Sequence, residues 1–195
     1  MASRALPRVD RSQQASVGVA IMARNAESTL PVLFPSIRPY VSQIVIGVDE
    51  LTTDKTARVA KRLGADDVFP LHVSDWHECV IHERRLAQHF GKARQETFKH
   101  LDPDLDYWMW IDADDFLENG QLLKPTLEQL PETCLGLWLH YHYGYVIGPN
   151  GQRKVNTLFD RERVLRTKFQ GKPVHWTWEG RVHETVKPDV PASWA

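Results

Sequence analysis

Apolar runs and helix-like segments alternate along the first 110 residues of the chain. The runs typical of buried strands are residues 17–22, 43–48, 66–73 and 106–111. The segments with helical spacing or helix-terminating residues are 30–37, 52–64 and a partly helical stretch over 83–101. Four strands separated by helices predict an open, mostly parallel α/β sheet.

The pattern changes after residue 131, where an alternation of period two begins. Leucine and tyrosine occupy every second position from Leu135 to Tyr145, which is typical of a β-strand. Residues 148–151 read Gly-Pro-Asn-Gly, a strong turn signal, and strand-like residues 152–161 follow. The last third is therefore predicted to add β-hairpin structure to the α/β core.

Polar side chains stand where three of the predicted strands end. Arg24 and Asn25 follow the first strand, Asp49 ends the second, and Asp112 and Asp114 follow the fourth. In open α/β sheets, ligands bind at the carboxyl ends of the strands, near the point where strand order reverses. We therefore expect these side chains to form one site.

Length and composition indicate a single-domain protein that is neither strongly basic nor membrane-spanning. The 195 residues suffice for one domain, taken here as 17–195, and are too few for two ordinary ones. The 24 Lys and Arg balance 25 Asp and Glu, which excludes a uniformly basic binder. With two cysteines, no secretory signal and no apolar run of about 20 residues, we expect a cytoplasmic protein without a transmembrane segment. Residues 1–16 have the character of a disordered leader.

Residues 112–115, which read Asp-Ala-Asp-Asp, are a candidate metal site. Carboxylates at positions i and i+2 after a strand can turn toward one ligand, and such oxygen ligands suit Mg²⁺ or Mn²⁺. The three acids have no basic neighbours in sequence, so a divalent cation would relieve their repulsion. The alternative is that Asp114 or Asp115 only caps a following helix.

Residues 175–184 are dense in side chains that can carry chemistry. Glu184 or Glu179 could act as a general base, His183 could bind a metal or phosphate, and Trp178 could stack on a sugar. The alternatives are a core tryptophan and a structural histidine. Between residues 153 and 187, nine Lys and Arg against four Asp and Glu give a local charge of +5, which indicates an anionic ligand or a solvated basic face.

Other motifs argue against several enzyme classes, and one residue, Arg94, has two possible roles. The stretch HECVIH at 77–82 has one residue too many between its histidines for the zinc-protease helix. The chain has neither the Gly-rich phosphate loop of kinases and ATPases nor that of dinucleotide enzymes. Arg94 lies in a predicted helix before the acidic strand, where its guanidinium fork suits a diphosphate or belongs to ordinary helix surface.

Four segments, in this order and spacing, resemble the inverting glycosyltransferases of family 2, which have the GT-A fold. The segments are VGVAIMARNAESTL, QIVIGVDELTTDKTARVAKRLGA, FGKARQETF and YWMWIDADD, and the likeness covers about residues 17–118. The later stretch WEGRVHE resembles a segment of some bacterial and phage members. The chain departs from the family after Asp49, where ELTTDKT replaces the usual Ser-containing turn.

The resemblance implies an α/β GT-A-type sandwich with a C-terminal β-hairpin extension. Residues 17–118 would bind a nucleotide-diphosphate sugar, most often a UDP-sugar, and residues 119–195 would bind the acceptor. The implied donor-binding residues are Ala23, Arg24 and Asn25 around the nucleoside, Asp49 at the nucleobase, Arg94 near the donor and Asp112 at the ribose.

The resemblance also implies a metal and a base. Asp114 would hold Mn²⁺ or Mg²⁺, with His183 near the metal or the diphosphate. The base would be an acid in the acceptor half, for which Glu184 is the first choice and Glu179 the second.

The function expected from these features is metal-dependent transfer of a sugar to an acceptor hydroxyl with inversion. The acceptor could be a glycan, lipid, protein or modified nucleic acid, and the chain could act as an oligomer. One alternative is a nucleotidyltransferase, although such enzymes usually carry a Gly-rich basic loop where this chain has ARNAES. Another is a non-catalytic module that binds nucleotide-sugars.

Overall fold

The computed structural model describes residues 14–72, 77–80, 85–181, 183–191 and 193–194. Most of the predicted leader at 1–16, and His82 of the HECVIH stretch, lie outside these residues. The strands of the main sheet are β1 (Val17–Ala23), β2 (Gln43–Asp49), β3 (Asp67–Leu71), β6 (Tyr107–Asp112), β7 (Cys134–Ile147), β8 (Arg153–Arg166) and β13 (Ser193–Trp194). The helices are α1 (Leu30–Ile37), α2 (Thr56–Arg62), α3 (Phe90–Phe98) and α4 (Leu123–Glu128), with short 3₁₀ turns at Arg38–Tyr40 and Gly120–Leu122.

Three small two-stranded sheets complete the described part of the chain. They are formed by β4 (His77–Val80) with β5 (Arg85–Gln88), β9 (Lys168–Phe169) with β10 (Lys172–Pro173), and β11 (Trp176–Glu179) with β12 (Thr185–Pro188). The first pair departs from the predicted helical stretch over 83–101, because residues 85–88 pair antiparallel with residues 77–80. The helix begins only at Phe90, where the His89 ring accepts the backbone N–H of Lys92.

The main sheet confirms the predicted α/β architecture. Its strand order is β13-β7-β8-β6-β1-β2-β3, and the four pairings β13–β7, β6–β1, β1–β2 and β2–β3 are parallel. The long hairpin β7–β8 is antiparallel, as the period-two pattern predicted, and it joins the sheet through a short pairing of β8 with β6. Strand order reverses around β1 and β6, so this edge is where a ligand site is expected.

Alternating side chains on the central strands fill a core on each face of the sheet. One face packs Val19, Ile21, Ile46 and Met109 against α1, α2 and α4. The other face packs residues of β6 and β8 against α3 and the β11–β12 hairpin, with Trp110 at its centre. The apolar runs read from the sequence are therefore strands buried on both sides.

The helices of the described residues are short. Helix α1 has eight residues, with Pro31 tolerated in its first turn and Pro35 inside it. No helix in this part of the chain has the length and apolar character needed to cross a membrane.

Candidate functional site

The ends of β1, β2 and β6 open into one cleft of about 380 Å³. Its lining includes six of the residues singled out from the sequence, namely Ala23, Arg24, Asn25, Asp49, Asp112 and Asp114. These residues come from three separate stretches of chain, and the parallel register of the strands brings them together. The cleft is small and half-open, and carboxylates supply its main charges.

Asp49 is the most deeply buried polar residue of the cleft, with 1% of its surface exposed. One carboxylate oxygen, Oδ1, accepts the backbone N–H of Leu51 at 3.0 Å. The other, Oδ2, has no hydrogen-bond partner within the described residues, although Arg24 Nε lies 3.4 Å away. A buried acceptor without a hydrogen bond is costly, and a ligand N–H or O–H in the cleft would satisfy it.

Hydrogen bonds join the loop after β1 to the loop after β2. Asn25 adopts a left-handed backbone with φ of 50°, and its side-chain oxygen accepts the Thr53 N–H at 2.8 Å. The Ala26 N–H donates to the Thr56 hydroxyl at 2.7 Å, and the Glu27 N–H donates to Asp54 at 3.0 Å. The resemblance assigns the loop after β1 to the nucleoside. In this structure that loop is held in place partly by the hydrogen bond that the Asn25 side chain accepts from Thr53.

Asp54 links these loops to α2 and should make stability depend on pH. Burial opposes its ionisation, but hydrogen bonds from Thr56 and Glu27 outweigh burial and hold its pKa below the ordinary 3.8. A lowered pKa stabilises the fold above pH 3.8, and this stabilisation is lost as the pH falls through the folded-state pKa. We expect Asp54→Asn to lower the free energy of unfolding at pH 7 by less than about 1 kcal/mol, because solvent screens the charge of this carboxylate. Urea titrations of both proteins should show this difference shrinking below pH 3.8, and a difference that persisted would contradict the ionic role.

Asp112 is held by two guanidinium groups from distant parts of the chain. Arg94 Nη2 donates to Asp112 Oδ1 at 2.8 Å, and Arg163 Nη1 lies 3.7 Å from Asp112 Oδ2. Burial opposes ionisation of Asp112, but these two cations outweigh it and lower its pKa. The acidic segment has no basic neighbours in sequence, but tertiary contacts bring two guanidinium groups to it.

Asp115 is also engaged, which leaves Asp114 as the open carboxylate of the segment. Arg163 Nη2 donates to Asp115 at 3.3 Å and the Tyr141 hydroxyl donates at 3.0 Å. Burial and the neighbouring carboxylates raise the pKa of Asp115 against the opposing effect of Arg163. Neither Asp114 nor Asp115 caps the turn at Gly120–Leu122, which has no side-chain cap, so the capping alternative is not what the structure shows.

Asp114 is exposed, and no hydrogen bond or ion pair engages its side chain within the described residues. His183 lies on an exposed turn with φ of 58°, and no described contact joins it to Asp114. In the same part of the chain, no three carboxylate, imidazole or thiol side chains are grouped as a ready-made metal site. An open carboxylate still fits Mg²⁺ or Mn²⁺, because such ions keep waters and use one or two carboxylates together with substrate phosphates.

Trp110 lies between the two arginines that hold the acidic segment. The guanidinium carbon of Arg94 is 3.8 Å from the ring centroid and that of Arg163 is 3.7 Å away. Trp178 packs edge-on against the same ring at 5.3 Å and is 7% exposed. Trp178 is therefore a core residue in this structure, with little surface to offer a sugar. Trp110 and Arg163 contact the residues around the acidic segment and were not singled out from the sequence.

Glu184 contacts the site through Arg94. Its carboxylate oxygen Oε1 accepts Arg94 Nε at 2.7 Å, and both side chains are nearly buried. Arg94 thus bridges Glu184 and Asp112, and neither Arg94 nor Glu184 is among the described residues that line the cleft. Glu179 is half-exposed on the outer face of β11 and pairs with Lys187 at 2.5 Å. Glu184 is therefore the nearer of the two to the acidic segment by contact.

Gly91 lets the start of α3 lie against the turn at residues 179–181. The Phe90 N–H donates to the carbonyl of Arg181, and a Cβ at position 91 would stand 2.5 Å from the carbonyl oxygen of Gly180. This close approach is what brings Arg94 on α3 next to Glu184.

We expect Gly91→Ala to lower the free energy of unfolding by about 1–3 kcal/mol, because the backbone must move apart. The same change at an unhindered helix position stabilises by about 0.4–1 kcal/mol, so the sign is diagnostic. Thermal unfolding measures this change in stability. A stabilised variant would show that the turn at residues 179–181 can move away from α3 without cost.

Comparison with known proteins gives only partial structural likenesses. No family model and no curated protein matches the chain. Among solved structures, the chain is similar to glucosyl-3-phosphoglycerate synthase from Mycobacterium tuberculosis in complex with Mn²⁺, UDP and phosphoglyceric acid, with 19% identity and a TM-score of 0.46 over 65% of this chain and 43% of that one. It is also similar to S. aureus TarS 1–349, with 16% identity and a TM-score of 0.41 over 57% of this chain and 31% of that one. The chain spans less than half the length of either match.

Proposed function

We propose that this chain is a metal-dependent glycosyltransferase that moves a sugar from a nucleotide-diphosphate sugar, with UDP-sugars as the first candidates, to an acceptor hydroxyl with inversion. The observation that carries the proposal is the cleft in which three strand ends meet. It combines a buried acceptor without a hydrogen bond, Asp49 Oδ2, with an open carboxylate, Asp114, at the switch point of an α/β sheet. Nucleotides are typically bound in such a place.

The donor's parts have distinct partners in this arrangement. The nucleobase would give an N–H to Asp49 Oδ2, and the backbone from Ala23 to Asn25 would pass along the nucleoside. Asp112, held ionised by Arg94 and Arg163, would accept a ribose hydroxyl. Because the loops on either side are already joined by hydrogen bonds, this half of the cleft is formed before a ligand arrives.

Asp114 would hold the divalent ion, and His183 is proposed as a second contact near the metal or the diphosphate. Bound there, Mn²⁺ or Mg²⁺ supplies positive charge that stabilises the diphosphate leaving group. The two nearby arginines leave Asp114 free for the ion, because each is paired with other carboxylates. Arg94 pairs with Asp112 and Glu184, and Arg163 pairs with Asp115.

The reaction is a single displacement at the anomeric carbon. The acceptor oxygen forms a bond to that carbon while the bond from the carbon to the diphosphate oxygen breaks, and the electron pair leaves with the nucleoside diphosphate. The proton of the acceptor hydroxyl goes to a carboxylate base, for which we propose Glu184 first and Glu179 second. Glu184 lines neither cavity and is paired with Arg94, so that pair would have to open toward the acceptor for Glu184 to take the proton.

The direct experiment is release of UDP from a panel of UDP-sugars, with Mn²⁺ and with EDTA. Many transferases hydrolyse their donor slowly without an acceptor, so metal-dependent UDP release from one sugar supports the proposal. Release of pyrophosphate from nucleoside triphosphates would instead indicate a nucleotidyltransferase. Tight UDP binding without any turnover would indicate a binding module.

The two candidate bases can be separated by isosteric variants. We expect Glu184→Gln to keep UDP affinity and lower sugar transfer about 100-fold, because the amide can still accept from Arg94 but takes no proton. Glu179→Gln, which removes only an exposed ion pair, should stay near wild type. Steady-state transfer rates with matched UDP titrations measure both. If only Glu179→Gln loses transfer, Glu179 is the base.

A further inference from the structure

A second cavity, of about 930 Å³, lies beside the cleft and shares Asp114 with it. We call it the hairpin cavity. One wall is the loop after β6 (residues 114–120), and the other is the face of β7 that carries Leu139, Tyr141 and Tyr143. Because Asp114 belongs to both spaces, a molecule in the hairpin cavity lies next to whatever occupies the cleft.

Aromatic rings form the open wall of the hairpin cavity. Tyr141 and Tyr143 have centroids 5.9 Å apart, and Phe159 from β8 packs against both. The Tyr141 hydroxyl is used by Asp115, which fixes that ring, while Tyr143 is 68% exposed. An exposed, backed aromatic ring of this kind provides a flat apolar platform for the C–H face of a sugar ring.

The charge of the hairpin cavity selects against anionic ligands. Its lining holds the open carboxylates of Asp114 and Glu118, the Asp115 carboxylate that Arg163 and Tyr141 engage, and the imidazoles of His140 and His142, whereas the described lining residues include no Lys or Arg. Carboxylates repel phosphate and uronate groups but accept hydrogen bonds from neutral hydroxyls. Within the basic C-terminal third, Arg163 is buried against Asp112 and Asp115, so its charge is already used.

We propose that the hairpin cavity is the acceptor site and that the acceptor is a neutral saccharide, with one sugar ring stacked on Tyr143. This inference rests on the proposed function, since it takes the adjoining cleft as the donor site. The combination of an exposed ring, an acidic polar lining and the shared Asp114 carries it. Glu118 and the absence of Lys and Arg from the described lining favour a neutral acceptor over a nucleic acid or a phosphorylated one.

The test uses saturation-transfer NMR on the full chain with UDP and Mn²⁺ present. The neutral probes are the methyl β-glycosides and β-linked disaccharides of glucose, galactose and N-acetylglucosamine, and the anionic probes are glucuronic acid and a short DNA oligonucleotide. We expect at least one neutral saccharide to bind saturably, with affinity about tenfold weaker in Tyr143→Ala. Tyr143→Phe should match wild type because it keeps the ring. Trp138→Ala is the control, since Trp138 is an exposed aromatic residue of the same strand outside the cavity.

Each result decides between the two proposals. If UDP binds with Mn²⁺ but no neutral saccharide shows Tyr143-dependent binding, the acceptor inference is overturned and the donor site stands. Tighter binding of glucuronic acid or DNA than of every neutral probe also overturns it. If UDP does not bind in separate calorimetry, the proposed function is wrong, and the Tyr143-dependent signal then decides only whether the cavity binds sugar.

Discussion

Asp114→Asn is expected to lower metal-dependent sugar transfer by about a thousandfold, because the carboxylate proposed to hold the cation becomes a neutral amide. The side chain is exposed and makes no described hydrogen bond or ion pair, so the free energy of unfolding should change by less than about 0.5 kcal/mol. Loss of activity in a protein of unchanged stability separates a ligand-binding role from a structural one. Donor turnover, UDP affinity with and without Mn²⁺, and urea unfolding measure the three quantities.

Glu128→Gln is the matched control for this variant, since Glu128 is an exposed carboxylate of α4 outside both cavities. It should leave both turnover and stability at wild-type values. Wild-type activity in Asp114→Asn would remove the metal role from this residue. An equal loss in both variants would point to a general effect of charge.

Arg94→Met is expected to have the largest effect on stability, about 3–5 kcal/mol, because it leaves the nearly buried Glu184 without its cation and Asp112 with Arg163 alone. Arg94 is 5% exposed and joins Asp112 to Glu184. Methionine keeps much of the side chain's length, so lost packing contributes less than lost charge. Adding Glu184→Gln to the variant should recover part of the loss, since the charge left without its cation is then removed. Urea unfolding of the single and double variants measures this coupling.

Lys99→Met, at the residue that caps the C-terminus of the same helix, provides the contrast. Lys99 pairs with Glu96, but its side chain is 62% exposed, so its removal should cost at most about 1 kcal/mol. If Arg94→Met proved as mild as Lys99→Met, the buried carboxylates would have to find other partners or bind protons. In that event, Arg94 would not be the residue that holds Asp112 and Glu184 together.

The sheet and the cleft could be predicted from the sequence because both depend on local pattern and on a general rule of topology. Apolar runs identify β1, β2 and β6, and parallel strands deliver the residues that follow them to one edge. The period-two alternation likewise identified β7, and the Gly-Pro-Asn-Gly stretch at 148–151 identified the turn after it.

The contacts around Asp112 could not be predicted in this way. Arg163 lies 51 positions from Asp112 on a strand whose pairing with β6 is set by the whole sheet. Nothing in the local spacing around Trp110 indicates that guanidinium groups will cover both of its faces. The sequence also suggested that Trp178 faces a ligand, but tertiary packing places it in the core. It suggested helix at residues 85–88, but these residues form a strand paired with residues 77–80.

The hydrogen bonds between the loops after β1 and β2 have a consequence for how ligands bind. Asn25, Glu27, Asp54 and Thr56 tie the two loops into one unit, so neither can open independently of the other. The conformational entropy of these segments is therefore lost when the chain folds, and a nucleotide entering the cleft does not have to order them. This side of the cleft should therefore bind nucleotides as a preformed site, with little change of its backbone. Differences in affinity among nucleotides should appear mainly in their dissociation rates.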